Sequence, residues 1–398
     1  MSLCLKAKLL LHKNHFTMKN KIVDIEALRT IGLMFVLIGH SGNLFSEHLP
    51  KLEYLLSRAN GTFAVDLFFA ISGYIIARSL IPQLLQAIEQ GNARKVIYSF
   101  WIRRIWRLWP AAWFWLAIML WAVYFFNDSK AFGSIEANID ATIAGIFNFA
   151  NYRFAAVFGK SEYGTSFVYW SLSLEEQFYI TFPLLVLIFR RHLVWFVALI
   201  ALVQIFTVRT SLFQVMFRTE AMAIGVLIAI WHISNHSSVD KIKNKIINLN
   251  TKITFIALII TFCLLATIST AKLSINFFGV IAITSGIIVI IASFNNDCFV
   301  PNERLKPLFI WVGERTYSIY LIHIPSYFTV REIFFRIDPN MSLTPTIIAL
   351  HILCATILII SLAQFSFKYV ETPLRRRGAK IANSMLIPVR KPEEQFNV

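Results

Sequence analysis

Residues 24–42 read DIEALRTIGLMFVLIGHSG, an apolar stretch interrupted by Arg29 and His40. An ionisable side chain inside a run of membrane-crossing length is costly enough to be a functional suspect. Eleven residues at 100° each bring these two to nearly the same face of one helix, about 16 Å apart along its axis. That face predicts a helix with a cation near one end and an imidazole beyond its middle. The structural alternative is an arginine that snorkels to the headgroups and a histidine that makes a polar contact with a neighbouring helix.

Outward from this stretch, apolar runs recur at 62–81, 109–126, 166–189, 193–208, 212–232, 253–270, 275–294, 316–335 and 345–367. With 25–45 they predict an all-α, polytopic membrane bundle of about ten transmembrane helices. Across 398 residues, 57% apolar and 15% charged side chains and a mean hydropathy of +0.62 agree with that class. The run 139–158 is broken by Asn148, Asn151 and Arg153, so an interfacial or re-entrant piece is expected there.

A formal net charge of +16 would also suit a nucleic-acid partner. The placement of the cations excludes that reading. With the N-terminus inside, 27 of the 38 Lys and Arg residues fall on the inner side and 10 on the outer, leaving Arg29 within the first span. Both termini are therefore expected in the cytoplasm, and membrane topology accounts for the charge.

Residues 1–20 are expected to form a basic cytoplasmic tail rather than a signal peptide, with Met18 a candidate natural start. Residues 21–374 form the expected transmembrane domain and 375–398 a second basic cytoplasmic tail. Cys4, Cys263, Cys298 and Cys354 lack paired spacing, so no disulfide and no metal site is expected. No internal repeat and no phosphate-loop or HExxH motif is present.

Several other stretches carry candidate chemistry. In FAVDLFFAISGYIIARSL (63–80), Asp66 comes to about the depth of His40, so a His–Asp dyad is one reading. The other is Asp66 as the N-cap of its own helix, since an acidic residue in a first turn is expected there. Ser72 and Gly73 suit close helix packing. In RKVIYSFWIRRIWRLWP (94–110), Arg103, Arg104 and Arg107 alternate with tryptophans, and Arg104 and Arg107 share a helix face. Such a stripe anchors a bilayer interface, yet arginine forks also suit a phosphorylated donor. In YWSLSLEEQFYITFP (169–183), at least one of Glu175 and Glu176 should lie within the bilayer. His323 in ERTYSIYLIHIP (314–325) reads most simply as a hydrogen-bonded histidine. Glu371 in YVETPLRRR (369–377) reads as part of a topological stop signal.

Together, LRxxG(x)7H in the first helix, VDLFFAISGYII, RRIWRLWP, WSLSLEEQFY, YSIYLIHIP and VETP resemble the acyltransferase-3 family of membrane O-acyltransferases, from about residue 24 to 374. The resemblance implies a ten-helix enzyme of the bacterial cytoplasmic (inner) membrane. It would move an acyl group, usually acetyl, from cytoplasmic acyl-CoA to a glycan hydroxyl, with no metal. Acceptors of that kind include lipopolysaccharide, capsule or exopolysaccharide intermediates. His40 then matches the family's essential histidine, Arg29 its partner arginine, Arg104 and Arg107 its two-arginine motif, and Glu175 its WSLxxExQFY glutamate.

From these readings the expected catalytic residues are His40, Arg29, Asp66 and Glu175. Arg103, Arg104 and Arg107 are expected to hold acyl-CoA, and Tyr320, His323 and Ser72 to touch the acceptor. Some family members add a C-terminal hydrolase-like domain, which the residues after the tenth helix do not resemble. A transporter of a glycolipid or polar solute is the competing class, since carriers also use intramembrane Arg, His, Asp and Glu. A catalytically silent scaffold is a third.

Overall fold

A computed structural model describes residues 21–45, 61–247, 251–268, 277–300 and 302–386, which are helical with no strand among them. Residues 1–20 and 387–398, hence all of the first expected tail and the end of the second, lie outside the described residues. The helices are α1 (Val23–His40), α2 (Thr62–Glu89), α3 (Ala93–Phe125), α4 (Ile135–Ile146), α5 (Ala150–Val157), α6 (Tyr169–Phe189), α7 (Leu193–Phe206) and α8 (Leu212–Met216). They continue as α9 (Glu220–Ser234), α10 (His236–Ile247), α11 (Thr251–Ile268), α12 (Phe277–Ser293), α13 (Lys306–Glu314), α14 (Thr316–Ile337), α15 (Pro345–Phe365) and α16 (Thr372–Leu386).

Among the described residues, five helical stretches are long and apolar enough to cross a membrane: Thr62–Glu89, Ala93–Phe125, Tyr169–Phe206, Leu212–Ser234 and Pro345–Leu386. Ile253–Ala266 and Phe277–Ser293 are apolar but shorter. α1, at 18 residues, is shorter than the expected first span 25–45, and Asp24, Glu26 and Arg29 crowd its first two turns. α3 starts at Ala93, so RRIWRLWP lies well inside a 33-residue helix instead of preceding one.

Two apolar cores meet around α1 and α2. One gathers α2, α6, α7, α9, α11 and α12, and the other gathers α3, α14 and α15 with the rest of α1. α2 and α9 cross at close range in the first core. A Cβ on Gly73 would stand 2.2 Å from the carbonyl oxygen of Met222, and one on Gly225 would stand 2.2 Å from that of Ala70. Only a residue without a side chain lets both backbones approach so far, as the small-residue reading of Gly73 expects.

Polar side chains tie remote segments to α1. Asp24 accepts the backbone N–H groups of Asn296 and Cys298 at 2.9 and 3.3 Å, which anchors the loop after α12. Thr30 Oγ1 donates to the Phe309 carbonyl at 2.6 Å and so holds α13. These bonds satisfy buried groups that would otherwise cost about 1–3 kcal/mol each.

The broken run 139–158 falls in α4 and α5, which turn at Asn148 with φ +58°. Asparagine tolerates that left-handed backbone better than most residues. The asparagines that interrupt the run meet a specific partner: Gln177 donates to the Asn148 carbonyl and to Asn151 Oδ1, both at 2.9 Å. At the other end of the chain, residues 375–386, expected as the start of a tail, are helical. α15 passes through a π-helical turn at Ser366–Glu371 into α16, and Arg103 Nη2 donates to Asn383 Oδ1 there at 2.7 Å.

Candidate active site

α1, α2, α3, α6 and α14 supply most of the walls of a half-open cavity of about 1190 Å³. It exceeds the roughly 300–1,000 Å³ of an ordinary small-molecule pocket. Its walls carry Arg29 from α1, Ser72 and Arg78 from α2, Arg104 and Arg107 from α3, and Glu175 and Tyr179 from α6. Lys21, Lys243 and Arg375 add cations from three further segments. Some of this charge is paired: Arg29 Nη1 lies 3.0 Å from Glu26 Oε1, and Lys21 Nζ lies 2.5 Å from Glu314 Oε1. Lysines and arginines still outnumber carboxylates along the walls, so the interior favours an anion.

Helical spacing explains which residues reach it. Ser171, Glu175 and Tyr179 follow one another at four-residue intervals and share the inward face of α6. Glu175 Oε1 accepts the hydroxyls of Ser72 and Tyr179, joining α2 to α6 across the cavity wall. Glu176 falls on the next face and accepts Trp109 Nε1 at 2.5 Å instead. The Arg104 guanidinium lies over the Tyr179 ring, 5.1 Å from its centroid, an arrangement that holds a cation without neutralising it.

Three side chains lie elsewhere than expected. Arg103, one residue from Arg104, is not among the side chains that line the cavity, and its Nη2 bonds Asn383 of α16. Asp66 is not the partner of His40. Both of its oxygens accept from Arg218 Nε, at 3.0 and 3.1 Å, and both side chains are buried, at 0% and 1% exposure. Nor does its side chain cap α2, because the guanidinium takes it. Glu371, read as part of a stop signal, is instead buried beside the cavity, where it accepts the Ser318 hydroxyl and the Ser366 hydroxyl.

The partner that His40 does have is His323: Nδ1 of the first lies 3.0 Å from Nε2 of the second. Neither ring is among the side chains that line the cavity. Ser171 and Tyr320, whose hydroxyls bond at 2.7 Å, do line it, and Tyr320 sits one turn before His323 on α14. Arg29, Ser72, Arg104, Arg107, Glu175 and Tyr320 are thus gathered at one cavity, and the Tyr320 carbonyl bonds the nearer of the two imidazoles.

Sequence reading also passed over Arg218 and its neighbours. Arg209 and Glu220 form a second buried pair at 2.8 Å, and the guanidinium groups of Arg209 and Arg218 both lie against the Phe278 ring. The same cost argument that singled out Arg29 applies to Arg218 and Glu220 in the run 212–232 and would have flagged them. Lys21, Lys243 and Arg375 had no comparable local signal. Among the described residues, no group of three His, Cys, Asp or Glu side chains converges as a metal site would require.

A helical bundle with membrane-length helices around a basic, partly polar cavity is the class of protein that fold and site define. Residues 22–364 match the family model described as an acyltransferase domain, and the chain belongs to the acyltransferase-3 family. A proposed O-acetyltransferase of Staphylococcus aureus strain COL is 27% identical over 384 residues, covering 91% of this chain and 58% of that one. O-acetyltransferase OatA of S. aureus strain NCTC 8325 is 27% identical over 346 residues, covering 81% of this chain and 54% of OatA. The chain thus spans a little over half the length of these relatives. No solved structure matches it.

Proposed function

We propose that this chain is an integral membrane O-acyltransferase that carries an acyl group, acetyl foremost, from acyl-CoA to a hydroxyl of a surface or lipid-linked glycan. The observation that carries the reading is the basic cavity lined by Tyr320, one helical turn from the paired imidazoles. The O-acetyltransferase names of the relatives support the same chemistry.

In this reading Arg29, Arg104 and Arg107 hold the phosphorylated end of CoA, since arginine forks bind phosphate oxygens with charge-assisted bonds. The long, flexible arm of the donor then spans the roughly 16 Å between the levels of Arg29 and His40. His40 acts as the base. The acceptor oxygen bonds the thioester carbon, the C–S bond breaks, and the hydroxyl proton passes through His40 to the departing thiolate. Glu175 holds Ser72 and Tyr179 in place along the wall, and Tyr320 guides the reacting end. Asp66 acts through Arg218, as a brace for α2.

The topology proposed with this activity has about ten spans in a bacterial cytoplasmic membrane, with both ends of the chain inside. Its acyltransferase unit covers residues 21–374, flanked by basic segments at 1–20 and 375–398. The excess of Lys and Arg in alternate loops supports that orientation, and it puts the cations of the cavity on the side that supplies acyl-CoA.

Mass spectrometry of surface polysaccharide tests the proposal in cells with the gene deleted and then restored as wild type or as His40→Ala. Ester-linked acyl mass should disappear on deletion and return with the wild type alone. Equal recovery with His40→Ala would remove the base. Movement of a solute by the purified protein, with no acyl-CoA consumed, would replace the enzyme by a carrier.

A further inference from the structure

An imidazole that works as a base needs one nitrogen with a free lone pair and a fixed proton on the other. The bonds around His323 decide which nitrogen of His40 is which. His323 is fully buried, at 0% exposure, and its Nδ1 lies 2.7 Å from the Tyr320 carbonyl oxygen. A carbonyl only accepts, so the His323 hydrogen is on Nδ1. Among the described residues no carboxylate bonds this ring, and an unpaired imidazolium so deeply buried would be too costly to hold. The ring is therefore neutral, with a bare Nε2.

That bare nitrogen faces His40 Nδ1 at 3.0 Å. Two lone pairs repel, so the bond requires a hydrogen on His40 Nδ1. Its direction fits: the ring planes lie within 19° of each other with centroids 5.2 Å apart, which points the N–H along the in-plane lone pair of its partner. A neutral His40 with its hydrogen on Nδ1 has its lone pair on Nε2. None of the described residues bonds that atom. The packing around the pair keeps the register: Tyr327 OH donates to the Leu37 carbonyl at 2.9 Å, fastening α14 to the last turn of α1, and the Phe167 ring meets His40 edge to face.

We propose that His323 is a positioning residue for acyl transfer, which holds His40 as the Nδ1–H tautomer and leaves Nε2 as the atom that takes the acceptor proton. The proposal rests on the reading of His40 as the base. It gives His323 the part that a buried carboxylate plays in a Ser-His-Asp triad, without the charge. As His40 becomes cationic, its Nδ1–H bond to His323 becomes charge-assisted and strengthens. Asp66 is unavailable for this part because Arg218 takes both of its oxygens.

Two measurements on the full chain in lipid nanodiscs or membrane vesicles test this. In nitrogen-15 NMR of protein labelled at histidine, with His40 assigned by difference from His40→Ala, wild-type His40 should carry its proton on Nδ1. His323→Leu should release that preference, and His323→Gln, whose amide oxygen can accept where Nε2 did, should retain it. A proton on Nε2 in the wild type, or an unchanged tautomer in a folded His323→Leu, overturns the proposal.

The second measurement follows radiolabel from acetyl-CoA into alkali-labile esters. His323→Leu should lower the maximal rate by at least about tenfold, with KM for acetyl-CoA held within about twofold, and His323→Gln should recover part of the loss. If His40→Ala abolishes incorporation while His323→Leu keeps the full rate, the positioning role fails and the base stands. If His40→Ala keeps the full rate, the reading of His40 fails first.

Discussion

Asp66 and Arg218 form a buried ion pair across the α2–α9 region, with Nε shared between both carboxylate oxygens at 3.0 and 3.1 Å. The pair joins residues 152 positions apart, and Trp170 and Phe278 close over the guanidinium. It turns the dyad expected at Asp66 into a structural brace, and the consequences differ.

Removing one partner leaves the other as an uncompensated buried charge, which costs about 3–5 kcal/mol. Arg218→Ala and Asp66→Ala should therefore each lower the folded yield and the unfolding midpoint in detergent. Exchanging both for apolar residues of similar size should restore much of the loss. A single variant that retains wild-type stability would remove the brace.

The α2–α9 crossing should be as sensitive to one methyl group. Gly225→Ala places a Cβ 2.2 Å from a backbone carbonyl oxygen, so the helices must separate. Overpacking of this kind costs about 1–3 kcal/mol. Thermal loss of the monodisperse peak in size-exclusion chromatography should come at a lower temperature than in the wild type, and Gly42→Ala, which meets nothing within 4 Å, serves as the control.

Arg103 and Arg104 are adjacent in sequence and should separate in function. Loss of a charge-assisted phosphate bond is worth about 1.5–3 kcal/mol, so Arg104→Ala should raise KM for acyl-CoA by about tenfold or more. Arg103→Ala should leave that KM unchanged and loosen α16, read as faster proteolysis after residue 375. The reverse pattern would place the donor on the other face of α3.

Salt offers a test without mutation. An anionic donor drawn to a basic cavity is screened over about 10 Å at 0.1 M ionic strength. KM for acyl-CoA should rise as potassium chloride is added, while KM for an uncharged glycan acceptor stays level. A donor KM indifferent to salt would argue against the arginines as its anchor.

The removal of Glu175 should act on geometry more than on fold. Glu175→Ala leaves the Ser72 and Tyr179 hydroxyls without their shared acceptor, at about 1–3 kcal/mol of local cost. Glu175→Gln preserves an acceptor oxygen and should stay nearer the wild-type rate. Initial rates at saturating acyl-CoA, measured for both variants, check the order.

Apolar run length and helical periodicity were enough, from sequence, for the all-helical class, for the placement of most helices, and for Arg29 and His40 on one face of α1. Six motifs in order pointed to the family. Those inferences succeed because contacts within a helix depend only on the spacing of residues along it. The tertiary structure alone decided the partners: His323 for His40 across 283 positions, Arg218 for Asp66, and the cations that Lys243 and Arg375 bring to the cavity from remote segments. Which helix faces meet depends on how side chains of distant segments pack and satisfy one another, and no local pattern encodes that choice.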